Sequence, residues 1–535
     1  MVSGGRSIYR LLGDNLPGHA DRIALIDGDA GGRSITYAGL AEEVDRVAAS
    51  LAGIGVLPGD RVIVHVRKGI PEVAAMLGAS KIGAVVVNVN VQWTPEQLGY
   101  VASDCEAKAL IIGREGLRPL SSWSRPATLQ RLLVAGADEG LPPGFDAVAR
   151  MGAGPAQGSE VKVSEGDLAM IIYTSGSTGM PKGVMLTHAN ICIGAETVID
   201  YLHLGEDDRL LSVLPYSFDA GLNQLTTMLR VGGSVVHQPV AIPSELVRTV
   251  RDHAVTGFAG VPPLWNQVVR YLDETRATMP SLRRITNTGG KLPPNILELM
   301  PAVFPGVDIY LMYGLTEAFR STFLPPEKFS QKMGSIGQAV PNAQVFVVKH
   351  GAGLAGPGEQ GELVHAGPLV SLGYWQRPDL TTQKIRPCPE LSDLIGDAPV
   401  VYSGDLVRVD EDGDLWFVGR MDDMIKTSGF RLSPTEVEDL VSRSGLAADI
   451  VAYGVEDDDL GQVVHVALTP LDGFSGAAMM AYCRRAMPHY MVPRRIQPWA
   501  GPMPRTASGK LDRPQVISRS KAGLTAIVGE DVRCP

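Results

Sequence analysis

Cysteine is scarce and scattered. Cys105, Cys192, Cys388, Cys483 and Cys534 form no CxxC pair and share no metal-ligand spacing with the ten histidines, which excludes a disulfide scaffold or a zinc ribbon and fits a reducing compartment. Long apolar runs are also missing. The most apolar stretch, Ile70 to Val91, is broken by Glu72, Lys81, Asn88 and Asn90, and no basic start followed by an apolar region opens the chain. Neither a membrane span nor a signal peptide is expected, which suits a cytoplasmic protein. Positive charge is in deficit as well. Lys plus Arg number 48 against 58 for Asp plus Glu, a net charge of −10, so a nucleic-acid partner is not expected.

What remains is an ordinary globular composition, 45% hydrophobic and 20% charged over 535 residues, which can bury a large core and exceeds one small domain. Between Tyr37 and Ile54, Leu40, Val44, Val47 and Leu51 recur at helical spacing, and Leu57-Pro-Gly-Asp60 then turns into a strand-like run from Arg61 to Val66. A helix from Pro71 to Lys81 and an apolar run from Ala84 to Val89 continue the alternation, which returns between Pro243 and Tyr271. This rhythm predicts an α/β fold with parallel sheets. From Gly337 to Gly373 the pattern changes to hairpins. There Gly351-Ala-Gly-Leu-Ala-Gly356 matches GxGxxG, but Pro357-Gly358 cannot open a helix, so a hairpin loop is expected rather than a dinucleotide site. After Gly419, Ser433-Pro-Thr-Glu436 reads as a capping box that begins a helix of a smaller α+β domain. The acidic run from Glu456 to Asp459 reads as a solvated hairpin tip.

The segment most informative about chemistry is Tyr173-Thr-Ser-Gly-Ser-Thr-Gly-Met-Pro-Lys-Gly183, which follows the apolar run Leu168 to Ile172. A loop behind a buried strand that offers glycine amides (Gly176, Gly179, Gly183), hydroxyls (Thr174, Ser175, Ser177, Thr178) and Lys182 is suited to an anion such as polyphosphate. It is not a Walker A loop. Downstream come Asn287-Thr-Gly-Gly-Lys-Leu-Pro293, Tyr313-Gly-Leu-Thr-Glu317, Tyr402-Ser-Gly-Asp405, Gly419-Arg-Met-Asp-Asp-Met-Ile-Lys426 and Pro504-Arg-Thr-Ala-Ser-Gly-Lys510.

In these six motifs and their order, the chain resembles the AMP-forming adenylating enzymes, which include acyl-CoA synthetases, peptide-synthetase adenylation domains and luciferases. The resemblance implies a large N-terminal domain over residues 1–419, with parallel-sheet α/β subdomains and a β-rich subdomain at about 335–419. A hinge at 420–422 and a small mobile α+β domain over 423–535 follow. It implies ATP and Mg²⁺ as cofactors. Thr316 then contacts the α-phosphate, Glu317 holds the metal, and Lys510 bridges the incoming carboxylate and the phosphate. Gly289, Gly290 and Lys291 join the phosphate loop in nucleotide binding, Tyr313 lies against adenine, and Asp405, assisted by Arg420, takes the ribose hydroxyls. Asp422 is the implied pivot, about which Lys426 and Gly429 enter for thioester formation.

Acid selection is expected in Pro215-Tyr-Ser-Phe-Asp-Ala-Gly-Leu-Asn-Gln224. Phe218-Asp219 looks like amino-acid-activating adenylation domains, in which the aspartate meets the substrate ammonium, because a buried carboxylate needs a cation. The alternative is an Asp219 held by protein donors such as Asn223. Arg320 is a candidate for a second substrate carboxylate or a structural ion pair, and Thr288 for a polar wall. The chain resembles stand-alone enzymes that load β-amino acids onto acyl carrier proteins, and also bacterial acyl ligases linked to exosortase systems. The expected substrate is a small carboxylic acid, an amino acid first, with a carrier protein or CoA as thiol acceptor. Arg484-Arg485 and Arg494-Arg495 are candidates to meet an acidic carrier.

Overall fold

The computed structural model describes residues 6–28, 32–117, 125–135, 146–147, 160–174, 181–421, 423–427, 430–457, 460–506, 509–523 and 532–533. Two large sheets carry most of the chain. In the first, six parallel strands lie side by side in the order Ile23–Asp27, Ser234–His237, Arg209–Ser212, Gly257–Gly260, Arg284–Asn287 and Asp308–Tyr313. Antiparallel strands close its edges, Ser34–Thr36 on one side and Thr322–Leu324 with Gln338–Ala339 on the other. The second runs Asp146–Ala147, Arg131–Ala135, Ala109–Gly113, Arg61–His65, Val85–Asn88 and Leu168–Thr174 in parallel, and then turns back through Lys182–Thr187.

The sequence explains this architecture. Val62, Ile63 and Val64 are buried in succession, as are Leu110, Ile111 and Ile112, because helices cover both faces of a parallel sheet. Thr36 caps helix Tyr37–Gly53 by accepting from Gly39 N, and the helix turns Leu40, Val44, Val47 and Leu51 inward. Helix Ile70–Lys81 packs on it so closely that a Cβ at Gly78 would lie 2.6 Å from Val47 Cβ.

A third sheet, antiparallel, gathers Gln344–Lys349, Gly353–Leu354, Gln360–Ala366, Ile385–Arg386, Val400–Val409 and Leu415–Arg420. The GxGxxG segment lies in its hairpin turns, and no helix follows it. From Ile425 onward the strands Ile425–Thr427, Phe430–Leu432, Ala447–Asp457, Gly461–Pro470, Arg495–Pro498 and Val532–Arg533 form a separate sheet. Helices Pro434–Ser442, Gly476–Ala486 and Arg513–Lys521 cover it, over a core that includes Val437, Val466, Met479 and Ile496. The expected capping box at Ser433 does not form, although Ser433 does cap the helix. Its hydroxyl donates to Val418 O (2.5 Å) and accepts from Thr435 N (3.2 Å), while Glu436 N goes to Ser433 O, so the reciprocal glutamate bond is not needed. Among the described residues, no helix is long and apolar enough to cross a membrane.

Candidate active site

The carboxyl ends of the first sheet's strands, the third sheet and the small domain converge on a cavity of about 770 Å³. Large enough for a nucleotide beside a small acid, it lies where parallel α/β sheets place their ligands. It is lined by Thr174, Phe218, Asp219, Thr288, Gly289, Gly290, Lys291, Tyr313, Thr316, Glu317, Asp405, Arg420 and Lys510. Thirteen of the sequence-predicted site residues therefore share one enclosure. Thr174 ends one strand and pairs with Lys182 at the start of the next, so the two bracket the phosphate-loop segment. Ser175, Gly176, Ser177, Thr178 and Gly179 of that segment lie outside the described residues, as do Asp422, Gly429 and the side chain of Lys426.

Lys510 enters from the small domain at a glycine. Gly289 has φ of +77°, and a Cβ there would lie 2.6 Å from Lys510 Cε. A side chain at 289 would thus displace the lysine. The ammonium lies 5.0 Å from the centre of the Phe218 ring and faces Asp219, Asp405 and Glu317. Burial lowers its pKa, and those three carboxylates oppose the shift.

Opposite Lys510, Asp405 accepts from the Tyr313 hydroxyl at 2.5 Å and pairs with Arg420 at 2.9 Å. Burial raises its pKa, and Arg420, Tyr313 and Lys384 counter the rise. A carboxylate oriented in this way can accept from a diol. Glu317 Oε1 accepts from Tyr374 OH at 2.5 Å. Carboxylate oxygens beside a phosphate site suit a hard divalent cation, so Glu317 is the residue here that would hold magnesium, together with nucleotide oxygens.

Three neighbours of the site escaped the sequence. Tyr374 orients Glu317 from 57 residues away. Lys384 donates to Ser403 O (2.7 Å) beside Asp405. Asp439 of helix Pro434–Ser442 takes the Lys291 ammonium, so the lysine expected to serve the nucleotide forms an ion pair between the large and small domains. Tyr374 was announced only by a Gly373-Tyr-Trp375 aromatic pair, and neither Lys384 nor Asp439 had a local signal.

The acid-selecting end is built on helix Asp219–Val231. Phe218 is its N-cap residue, and Asp219 in the first turn gains from the helix dipole. Asp219 is 3% exposed, and its partner is Arg320, Nη1 to Oδ2 at 3.2 Å. Asn223, expected as the donor on the structural reading, does not fill that role. Its Nδ2 has no protein partner among the described residues and lines a smaller cavity of about 30 Å³ behind Thr288 and Met312, room for a water or two. Arg320 Nε, also without a partner there, lines the same space. The structure therefore joins two candidates that the sequence had treated separately. Elsewhere, the acidic trio Asp410, Asp412 and Asp414 is bridged by Lys332 Nζ at 2.9, 2.6 and 2.7 Å.

Comparison with known proteins agrees with this geometry. Residues 14–375 match the AMP-binding enzyme family, and residues 436–510 match the AMP-binding enzyme C-terminal domain. The chain is 31% identical to a feruloyl-CoA synthase of Amycolatopsis sp, over 91% of this chain and 94% of that protein. It is 30% identical to a linear gramicidin synthase polypeptide of Brevibacillus parabrevis, over 92% of this chain but 6% of that much longer protein. A solved structure of o-succinylbenzoate coenzyme A synthetase from Bacillus subtilis, in complex with ATP and magnesium ion, superposes with a TM-score of 0.79 at 26% identity, covering 95% of this chain and 99% of the other. Matches across both of its domains make the chain a member of the AMP-binding enzyme family, an AMP-forming adenylating ligase that uses ATP.

Proposed function

We propose that this ligase activates an amino acid, a β-amino acid first, and passes it to the phosphopantetheine thiol of an acyl carrier protein. A carboxylate oxygen of the acid attacks the α-phosphorus, the bond to the β-phosphate oxygen breaks, and pyrophosphate leaves. The thiolate then attacks the acyl carbonyl carbon and AMP leaves. In the first step Lys510 stabilises charge on the carboxylate and the α-phosphate, Thr316 donates to the phosphate, and Asp405 with Arg420 holds the ribose. Tyr313 backs the adenine, and the loop from Thr174 to Lys182 cradles the outer phosphates. The small domain then turns about Asp422 and exchanges Lys510 for the segment of Lys426 and Gly429.

The observation that supports the amino-acid reading is Asp219, a buried carboxylate on the cavity wall, although Arg320 already meets its Oδ2 from behind. An apolar acyl chain laid against two buried charges gains little, whereas an ammonium can take the remaining oxygen of Asp219. Arg320 lines only the small space behind Thr288 and not the main cavity, so on this reading its role is to hold Asp219 rather than a second substrate carboxylate. A second reading, an acyl-CoA ligase for an unaminated acid, is favoured by the likeness to feruloyl-CoA synthase along nearly the whole of both chains.

ATP–pyrophosphate exchange with purified protein and Mg²⁺ decides between them. The panel is 3-aminobutanoate, aspartate, alanine, butanoate, decanoate, benzoate and succinate, with Lys510→Ala as control. The proposal expects exchange with aminated acids and a sharply raised acid KM in Asp219→Ala. Exchange confined to unaminated acids would overturn it. Product formation with a phosphopantetheinylated carrier against CoA then identifies the acceptor.

A further inference from the structure

Behind the acid-selecting end lies a polar cluster that the proposed reaction does not use. It sits where the two large sheets meet. Lys68, in the turn between strand Arg61–His65 and helix Ile70–Lys81 of the second sheet, reaches across to the first. Its Nζ donates to Ser212 Oγ at 2.7 Å and to Leu214 O at 2.5 Å, and lies 3.8 Å from the centre of the Tyr216 ring. Tyr216 is fully buried, with its hydroxyl 2.8 Å from His237 Nε2. The other ring nitrogen of His237 is 2.9 Å from Asp27 Oδ1.

The cluster grips both neighbours of Pro215. Pro215 O accepts from Phe218 N at 3.1 Å, which closes the turn that starts helix Asp219–Val231. The helix packs so tightly on that turn that a Cβ at Gly221 would lie 2.1 Å from Pro215 O. With Leu214 and Tyr216 pinned, the turn has no slack, and Phe218 and Asp219 are aimed at the cavity. Maintaining an ammonium in this seam is costly. Burial lowers the Lys68 pKa, and Glu72 opposes the shift only in part. An apolar side chain would fill the seam at less cost but would hold neither the Leu214 carbonyl nor the Tyr216 ring face, so the cluster specifies one conformation of the turn.

We propose that Lys68, with Tyr216 and His237 behind it, is a positioning residue for the acid, fixing Leu214–Phe218 so that Phe218 and Asp219 meet the substrate. The inference rests on the assignment of Phe218 and Asp219 to the acid. It predicts a selective effect. Loss of Lys68 raises KM for the acid and leaves KM for ATP unchanged, because the nucleotide contacts lie on other segments.

The test uses Lys68→Met, Lys68→Arg, Tyr216→Phe and Asp219→Ala in the full chain. Kinetics are measured by pyrophosphate exchange with whichever acid of the panel above wild type exchanges fastest, alongside amide hydrogen exchange of segment 214–222. Expected are a rise in acid KM of about tenfold or more in Lys68→Met, a smaller rise in Tyr216→Phe, substantial rescue in Lys68→Arg and ATP KM within about twofold of wild type. Faster amide exchange at 214–222, with strand Asp308–Tyr313 unchanged, is expected in both Lys68→Met and Tyr216→Phe, which guards against one variant that fails to fold. Equal changes in acid and ATP KM, or unaltered amide exchange, would overturn the proposal. If Asp219→Ala leaves acid KM unchanged, the acid assignment itself fails. If Asp219→Ala raises it and Lys68→Met does not, only the positioning role fails.

Discussion

Replacing Gly289 by alanine should uncouple the two half-reactions. The added methyl carries two costs. At φ of +77° an L-residue is held in the left-handed region, at about 1–2 kcal/mol. The Cβ would also lie 2.6 Å from Lys510 Cε and 3.3 Å from its Nζ, so the lysine must withdraw. If its ammonium leaves the developing charge, the loss is comparable to that of one preorganised donor, about 2.7–4 kcal/mol or roughly 10²–10³-fold in kcat. Pyrophosphate exchange reads the first half-reaction. Thioester formation from supplied acyl-adenylate reads the second, from which Lys510 is proposed to be absent. Gly289→Ala should slow exchange by about 10²-fold and leave thioester formation within a few-fold. The double variant Gly289→Ala/Lys510→Ala should be no slower than Lys510→Ala alone, because the glycine acts through the lysine. Multiplicative losses in the double variant, or full exchange in Gly289→Ala, would refute the argument.

Three further outcomes are expected. Asp219→Ala strands the Arg320 guanidinium, which is 3% exposed, and should cost about 3–5 kcal/mol in urea unfolding, most of it regained in Asp219→Ala/Arg320→Met; an equal loss in the double variant contradicts the pairing. Asp439→Asn should change global stability by under ~1 kcal/mol, since both partners are partly exposed, yet shift the distance distribution between spin labels on the two domains; an unchanged distribution counts against the ion pair as a domain contact. Burial lowers the pKa of both His188 and His365 to about 4 from 6.5. Both are neutral in the fold where the unfolded chain takes up protons, so stability falls as pH drops through 6.5 and the loss is complete below about 4. His365→Gln should flatten that decline between pH 6.5 and 4, and a slope identical to wild type would exclude His365.

The fold was legible wherever one segment carried its own periodicity. The helix from Tyr37 and the strands at Arg61 and Leu168 emerged within a residue or two of their expected ends, because apolar spacing and turn residues act locally. The cavity lining was legible because glycines, hydroxyls and charges are concentrated in short motifs. What escaped was pairing across the fold. Asp219 and Arg320 stand 101 positions apart and Lys291 and Asp439 148 apart, so only the folded chain brings each pair together. Ser433 shows the same limit on a small scale, since its hydroxyl is claimed by Val418, fifteen residues upstream, and no local capping rule could include it.

On the proposed assignment of Gly289–Lys291 to the nucleotide, this segment would couple nucleotide occupancy to domain position. Within three residues it offers the wall against which the nucleotide is proposed to rest, the gap that admits Lys510 and the cation that holds Asp439. Any preference of the nucleotide for this arrangement must be returned as an equal preference of this arrangement for the nucleotide. Departure of pyrophosphate would thus weaken the small domain's hold at the same place where the first step has just ended, with AMP still held in the acyl-adenylate, and the turn to the second half-reaction would need no separate signal.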